Sequence, residues 1–87
     1  MKLDNLTAAT EDFTAMIRLN TQNATAHFHR GVARSKLGDK TGAFRDFKEA
    51  AWLFSSQGEQ EKYQRAIAAV TKLRKRMVLA NRALEAN

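Results

Sequence analysis

Two amphipathic patterns joined by a three-residue turn constrain the fold of this chain more than any other feature. They occupy residues 23–54, NATAHFHRGVARSKLGDKTGAFRDFKEAAWLF. Small and apolar residues recur at intervals of three and four, which is the spacing of one side of an α-helix. In the first pattern these residues are Ala24, Phe28, Gly31, Val32, Ser35 and Leu37, and in the second Ala43, Phe44, Phe47, Ala50, Ala51, Leu53 and Phe54. Arg30, Arg34 and Lys36 fall outside the first stripe, so we expect them to face water.

The residues Leu37, Gly38 and Asp39 are predicted to form the turn. Glycine adopts the left-handed conformation that ends a helix at little steric cost, and aspartate caps the first turn of the following helix. Either Thr21 or Asn23 can cap the first helix of this pair in the same way. We therefore predict a helix, a short turn and a second helix that returns antiparallel.

The order of small and aromatic residues in this pair of helices resembles a tetratricopeptide repeat (TPR). Small residues let the two backbones approach, and one large aromatic residue fills the space between the helices. The residues that carry the resemblance are Gly31, Leu37, Gly38, Asp39, Ala43, Phe47 and Ala50. Two positions depart from the family pattern without changing its spacing. His27 stands where the family usually has a large aromatic residue, and Ser55 where it often has proline.

Comparison of the chain with itself indicates that the repeat extends in both directions. A shift of about 34 residues is the period of this repeat class. It aligns Ala9 with Ala43, Asp12 with Asp46, Phe13 with Phe47, Ile17 with Ala51 and Leu19 with Leu53. A shift of about 35 residues aligns Tyr63 with Phe28, Arg65 with Arg30, Ala66 with Gly31, Ile67 with Val32 and Ala68 with Ala33.

The predicted architecture is therefore all-α: a TPR-like α-solenoid fragment of about four antiparallel helices in a single domain, 1–87. One complete repeat is flanked by a half repeat and a C-terminal capping helix. The predicted helices span residues 6–20, 24–37, 40–54 and 59–84. The absence of proline and the abundance of Ala, Leu, Lys, Arg, Glu and Gln favour this helical fold.

The two outer helices present apolar residues that lack an obvious partner. The stripe of the first helix comprises Leu6, Ala9, Phe13, Met16 and Ile17, and the seam of the last comprises Tyr63, Ala66, Val70, Leu73, Met77, Ala80 and Leu84. A solenoid helix normally packs against neighbours on two sides. Either the chain is a piece of a longer repeat protein, or a second copy covers Phe13 and Met16. Residues after about 76 form either a mobile, solvated tail or a segment that packs against the same chain or a second copy.

Composition excludes several other classes of protein. There is no cysteine, and hence no disulfide framework or thiolate chemistry. No uncharged apolar run is long enough to cross a bilayer, so we expect a soluble, cytoplasmic protein without a membrane span.

No arrangement of residues predicts catalysis or metal binding. His27 and His29 are two residues apart and point to opposite sides of a helix, so they cannot share a metal ion. The four glycines do not form a phosphate-binding loop, and Ser35 has no identifiable base. We predict a protein that is not an enzyme and needs no cofactor.

The TPR resemblance implies binding of a peptide or partner helix in a concave groove lined by the inner helices. The groove residues that it implies are Thr25, Phe28, Val32, Ser35, Lys36, Tyr63 and Ile67. Phe28 and Tyr63 are the expected anchors, because aromatic side chains supply a large contact area; alternatively, Phe28 is only a core residue. The carboxylate-clamp subgroup has asparagine where this chain has His29, so its specificity is not carried over.

A basic face on the last helix is a second candidate surface. The chain has a formal net charge of +6, and Lys62, Arg65, Lys72 and Arg76 share one side of a helical wheel. Such a face binds an acidic or anionic partner or takes part in self-association, including a homodimer; alternatively, it is only solvated. Nucleic acid is disfavoured because Tyr63 is the single aromatic residue of that segment, which leaves no stacking platform.

Overall fold

The computed structural model of the chain describes the backbone of residues 3–85 and the side chains of residues 5–83. This part of the chain consists of four α-helices and contains no strand. The helices are α1 (Leu3–Leu19), α2 (Ala24–Lys36), α3 (Lys40–Ser56) and α4 (Gln60–Glu85). The all-α prediction is confirmed, and each predicted helix end lies within three residues of the observed one. Residues 86 and 87 of the predicted C-terminal tail lie outside the described residues.

Side-chain caps and glycine turns set the ends of the two central helices. Asn23 Oδ1 accepts a hydrogen bond from the amide of Ala26 at 3.0 Å, so Asn23 is the cap of α2. Asp39 Oδ1 accepts from the amide of Gly42 at 2.9 Å and caps α3. Gly38, with φ of 89°, follows α2 in the left-handed conformation that favours glycine. The predicted turn is thus confirmed: Gly38 has the left-handed conformation, and Asp39 caps the following helix.

Helices that are consecutive in the chain pack against one another: α1 on α2, α2 on α3, and α3 on α4. The turns between them are three or four residues long, so neighbouring helices run antiparallel. Two hydrophobic clusters centred on α3 hold the arrangement together. The first contains Ala24, Ala50, Ala51, Leu53, Phe54 and Ala66, and the second Ala43, Phe47 and Leu73.

The absence of a side chain at Gly31 allows α2 and α3 to approach closely. A Cβ atom at this position would lie 2.8 Å from Cε1 of Phe47 and 3.2 Å from Cβ of Asp46. The first distance is well below ordinary van der Waals contact, so the Phe47 ring occupies the space that any larger residue would need. The close approach predicted for this pair of residues is therefore present.

The expectation that Arg30 and Arg34 face water is wrong. Both guanidinium groups bind the carboxylate of Asp46, which is only 3% exposed. Arg30 Nη2 lies 2.8 Å from Asp46 Oδ1, and Arg34 Nη1 lies 3.0 Å from Asp46 Oδ2. Arg30 also donates to Thr14 Oγ1 of α1 at 3.2 Å. A buried carboxylate is tolerable only when it is paired, so Asp46 draws both arginines onto α3.

The apolar stripes of the outer helices are only partly covered. On α1, Leu6 is 4% exposed and Phe13 is half-buried, whereas Met16 is 44% exposed. On α4, Ala66 and Leu73 are buried, whereas Ala80 is exposed. Met16, expected in the buried stripe of α1, is therefore exposed, and Ala80 lies in the part of the α4 seam for which the sequence indicated no obvious partner. The side chain of Leu84 lies outside the described residues. Within the part of the chain that is described, no helix is long and apolar enough to cross a membrane.

Replacement of Asp46 by alanine leaves two arginines without their buried partner. We expect the free energy of unfolding to fall by about 3 kcal/mol, the lower end for a broken buried pair, because Arg34 retains some contact with water. Urea denaturation followed by circular dichroism measures this change. Asp12→Ala, at an exposed carboxylate, is the control and should change stability by less than about 0.5 kcal/mol. Equal stabilities of the two variants would show that the Asp46 pairs contribute nothing.

Replacement of Gly31 by valine tests the close contact between α2 and α3. The added atoms meet the Phe47 ring, so we expect a loss of about 1 to 3 kcal/mol from overpacking. Ala68→Val is the control: residue 68 is exposed on α4, where valine alters only helix propensity, by less than about 0.7 kcal/mol. Phe47→Leu combined with Gly31→Val should recover part of the loss, since the smaller side chain vacates space. Additive effects in this double-mutant cycle would contradict a direct contact.

Candidate functional site

A groove runs over the outward side of α2, with α1 along one side and α4 along the other. Three adjoining depressions form it, of about 150, 170 and 170 Å³. The first is lined by Thr25, Phe28, His29, Phe54, Lys62 and Arg65, the second by Val32, Ser35, Lys36, Phe47, Ala69, Lys72, Leu73 and Arg76, and the third by Leu6, Ala9, Phe13, His29, Val32, Ala33 and Lys36. His29, Val32 and Lys36 each line two of them, so the three form one continuous surface, named here the α2 groove.

A series of rings connects three helices beneath and within the α2 groove. The ring of Phe13 stacks on that of His29, with centroids 5.7 Å apart and an angle of 25°. The rings of His29 and Phe28 lie edge to face with centroids 5.9 Å apart, and the centroids of Phe28 and Phe47 are 5.3 Å apart. Rings in these arrangements attract one another and hold their neighbours in place. The aromatic part of the groove is therefore preorganised by contacts from α1 to α3.

Phe28 belongs to the core and to the groove. It is half-buried and packs against both hydrophobic clusters, and it also lines the first depression. Phe28 is thus a core residue that also lines the groove, and its role as a binding anchor stays a prediction. His29 was not among the predicted site residues. Its spacing from Thr25, Val32 and Lys36 is the signal that could have identified it, because residues 25, 29, 32 and 36 follow one face of a helix.

The structure separates the seven residues of the predicted groove into two groups. Five of them line the α2 groove: Thr25, Phe28, Val32, Ser35 and Lys36. The other two, Tyr63 and Ile67, lie half-buried against the first hydrophobic cluster. Hence α2 supplies the floor of the groove, and the inner surface of α4 near Tyr63 is packed against α3.

The predicted basic face of α4 lies on the rim of the same groove. Lys62 and Arg65 line the first depression, and Lys72 and Arg76 line the second. The buried residues Ala66 and Leu73 dock α4 against α3 and so orient this row of cations. Two surfaces that the sequence presented as separate candidates are therefore one surface.

A second apolar surface lies on the outer face of α3. Trp52 is 62% exposed there, and Lys48 Nζ lies 5.4 Å from the centroid of the half-buried Phe44 ring. Thr41, Arg45 and Glu49 complete the lining of this broad, open depression. Sequence reasoning did not identify Trp52 as a surface residue. Trp52 and Phe44 are eight residues apart, which places both near the same face of α3. This spacing could have indicated that they share a surface.

The two histidines occupy different environments. His27 is 8% exposed; its Nε2 lies 3.2 Å from the carbonyl oxygen of Thr21, and its Nδ1 has no hydrogen-bond partner among the described residues. His29 is exposed in the α2 groove. Within residues 5–83, no three His, Cys, Asp or Glu side chains are grouped so that they could hold a metal ion. Among the described residues, the α2 groove therefore has no metal-binding group, and what it offers a ligand is apolar contact area and positive charge.

Comparison with known proteins does not extend this description. No protein-family model, curated protein or solved structure matches the chain. The resemblance to tetratricopeptide repeats consequently remains a prediction from the sequence pattern, and the α2 groove is the feature from which a function is argued.

Proposed function

We propose that this chain is a non-catalytic, TPR-like binding module that holds a peptide or a partner helix in the α2 groove. The observation that carries this proposal is the meeting of two residue sets on one surface. Five residues expected in the groove and four residues of the expected basic face line three adjoining depressions. An architecture by itself does not specify a function; the residues that line the groove carry the chemistry.

The groove combines a recessed apolar floor with a polar rim, as binding surfaces do. Its floor contains Phe13, Phe28 and Val32, which offer contact area at low entropic cost because packing already restricts them. Its rim contains lysines and arginines, which fix the orientation of a ligand and raise its association rate. Since α2 spans 13 residues, or about 20 Å, the groove accommodates about six residues of extended peptide.

Self-association through α4 is a second candidate function. The last part of this helix exposes Val78 to 45% and Leu79 to 56%. With 26 residues, α4 is about 39 Å long, whereas α3, with 17 residues, is about 25 Å long. The end of α4 beyond Met77, which still packs against the cluster of Ala43, Phe47 and Leu73, therefore extends past α3. A second copy of the chain is one way to cover its apolar residues.

The groove proposal predicts that Phe28→Ala and Lys36→Glu each abolish capture of peptides selected on the wild-type chain from a random displayed library. Loss of the central aromatic contact of Phe28 corresponds to about 2 kcal/mol or more, which is about 30-fold in affinity, and Lys36→Glu replaces an attractive charge by a repulsive one. Fluorescence anisotropy with the selected peptides measures it, and circular dichroism checks that each variant keeps its helical content. Arg45→Glu, an equal change of charge on the outer face of α3, is the control and should bind normally. Peptides that bind all three variants as tightly as the wild type would exclude the groove.

The self-association alternative predicts a mass of twice 9.8 kDa in light scattering at high protein concentration. Replacing both Val78 and Leu79 by aspartate should restore the monomer, because burial of two charges in a helix interface is costly. The same measurement at low and high salt separates the two possible causes: an apolar interface persists at high salt, and an electrostatic one weakens. A wild-type mass of 9.8 kDa at every concentration would eliminate this alternative.

A further inference from the structure

The charged residues that line the α2 groove are all cationic. Five cationic residues line it: Lys36, Lys62, Arg65, Lys72 and Arg76. None of the described residues that line its three depressions is an aspartate or a glutamate. Of these cations, Lys62 has a carboxylate nearby, Glu59 Oε2 at 3.9 Å. The groove therefore has a positive potential that a bound anion would neutralise.

Two of the carboxylates near the groove in sequence are occupied elsewhere, whereas Glu59 and Glu61 lie next to Lys62 at the start of α4. Asp46 is buried between Arg30 and Arg34, and Asp39 caps α3. Like charges three or four residues apart on a helix repel each other by about 0.2 to 0.5 kcal/mol. Both pairs on α4 have this spacing, so carboxylates placed between their members would relieve the repulsion.

The cations form two groups at opposite ends of the groove. Lys62 and Arg65 lie beside Phe28 in the first depression, and Lys72 and Arg76 lie beside Val32 and Lys36 in the second. The centres of the two pairs are about ten residues apart on α4, which is about 15 Å. An extended peptide covers that distance in about five residues. Between the two pairs the lining is apolar, with Phe28, Val32 and Ala69.

We infer that the occupant of the α2 groove is an acidic protein segment in which carboxylates flank an apolar centre at both ends, about five residues apart. This inference rests on the proposed function and adds the chemistry of the partner. Its acidic side chains pair with Lys62 and Arg65 at one end and with Lys72 and Arg76 at the other. Its apolar centre covers Phe28 and Val32.

The geometry of the aromatic residues favours a peptide over nucleic acid or a membrane. Phe13 and Phe28 are half-buried, and the exposed ring of His29 already stacks on Phe13 and lies edge to face with Phe28, so little free ring surface is left. Stacking of a base requires a free ring face. The apolar floor also lies within a groove between helices, where an extended chain or a helix fits but a flat bilayer surface does not.

The test uses three terminally blocked, fluorescein-labelled peptides in anisotropy titrations at 50 and 500 mM salt. EESLFEE has two acidic ends about five residues apart, QQSLFQQ is its neutral equivalent, and EEEESLF has the same composition with its acids at one end. We expect EESLFEE to bind at least about tenfold more tightly than either control at low salt, since two rim ion pairs at each end contribute up to about 1 kcal/mol each. Its affinity should fall at high salt.

Variants of the rim locate the binding site. Lys62→Glu with Arg65→Glu, and separately Lys72→Glu with Arg76→Glu, should each weaken binding of EESLFEE by about tenfold. Arg45→Glu with Lys48→Glu on the outer face of α3 makes the same change of charge, so it is the matched control and should leave the affinity unchanged. Equal affinities for EESLFEE and QQSLFQQ would overturn the acidic partner, and equal affinities for EESLFEE and EEEESLF would overturn the two-ended arrangement. The acidic partner would also be overturned if neutral peptides selected from a library bound the groove and EESLFEE did not.

Two further outcomes separate this inference from the proposed function. If neutral peptides bind and Phe28→Ala removes their binding, the groove function stands and the acidic partner is wrong. If no peptide, selected or designed, depends on Phe28 or Lys36, the proposed function itself fails. Duplex DNA and phosphatidylserine vesicles serve as the remaining probes. Tighter binding of either, insensitive to Phe28→Ala, would replace the protein segment by a non-protein polyanion.

Discussion

The buried carboxylate of Asp46 is the interaction on which the arrangement of the helices depends. It lies on α3, binds Arg30 and Arg34 of α2, and through Arg30 reaches Thr14 of α1. A buried charge without partners is strongly unfavourable, so the side of α2 that carries both arginines has to face α3. Gly31 lies on the same side and admits the Phe47 ring at close distance. The rotation of α2 about its own axis is thereby fixed.

The α2 groove follows from this rotation. The side of α2 opposite Arg30 and Arg34 carries Thr25, His29, Val32 and Lys36. Because both arginines bind Asp46 of α3, this opposite side of α2 faces outward. α1 then flanks them through Phe13, whose ring stacks on His29. α4 flanks them on the other side, where the burial of Ala66 and Leu73 directs Lys62, Arg65, Lys72 and Arg76 to the rim. The proposed binding surface is thus a consequence of the contacts that the opposite side of α2 makes with α3.

The ends of the helical array differ in character from its centre. The central helices bury most of their apolar side chains, whereas Met16, Trp52, Val78 and Leu79 are exposed on the outer helices and on the outer face of α3. A small domain of consecutively packed helices has no interior layer to cover these faces. The groove is distinguished from these patches by its concave shape, its ordered aromatic residues and its single sign of charge. That combination is the reason why the groove, and not one of these apolar patches, is the surface proposed for binding.

The sequence by itself determined the helical class, the approximate ends of the helices, and the turn at Gly38 and Asp39, because periodicity and capping act over a few neighbouring residues. It also indicated the groove-facing residues of α2 and the cations of α4. Only the tertiary structure decided that Arg30 and Arg34 bind Asp46, that Tyr63 and Ile67 pack against the core, and that the two candidate surfaces meet. Periodicity gives the direction of a side chain around its own helix. Which neighbouring helix covers that side, and at what rotation, depends on contacts between residues far apart in the chain.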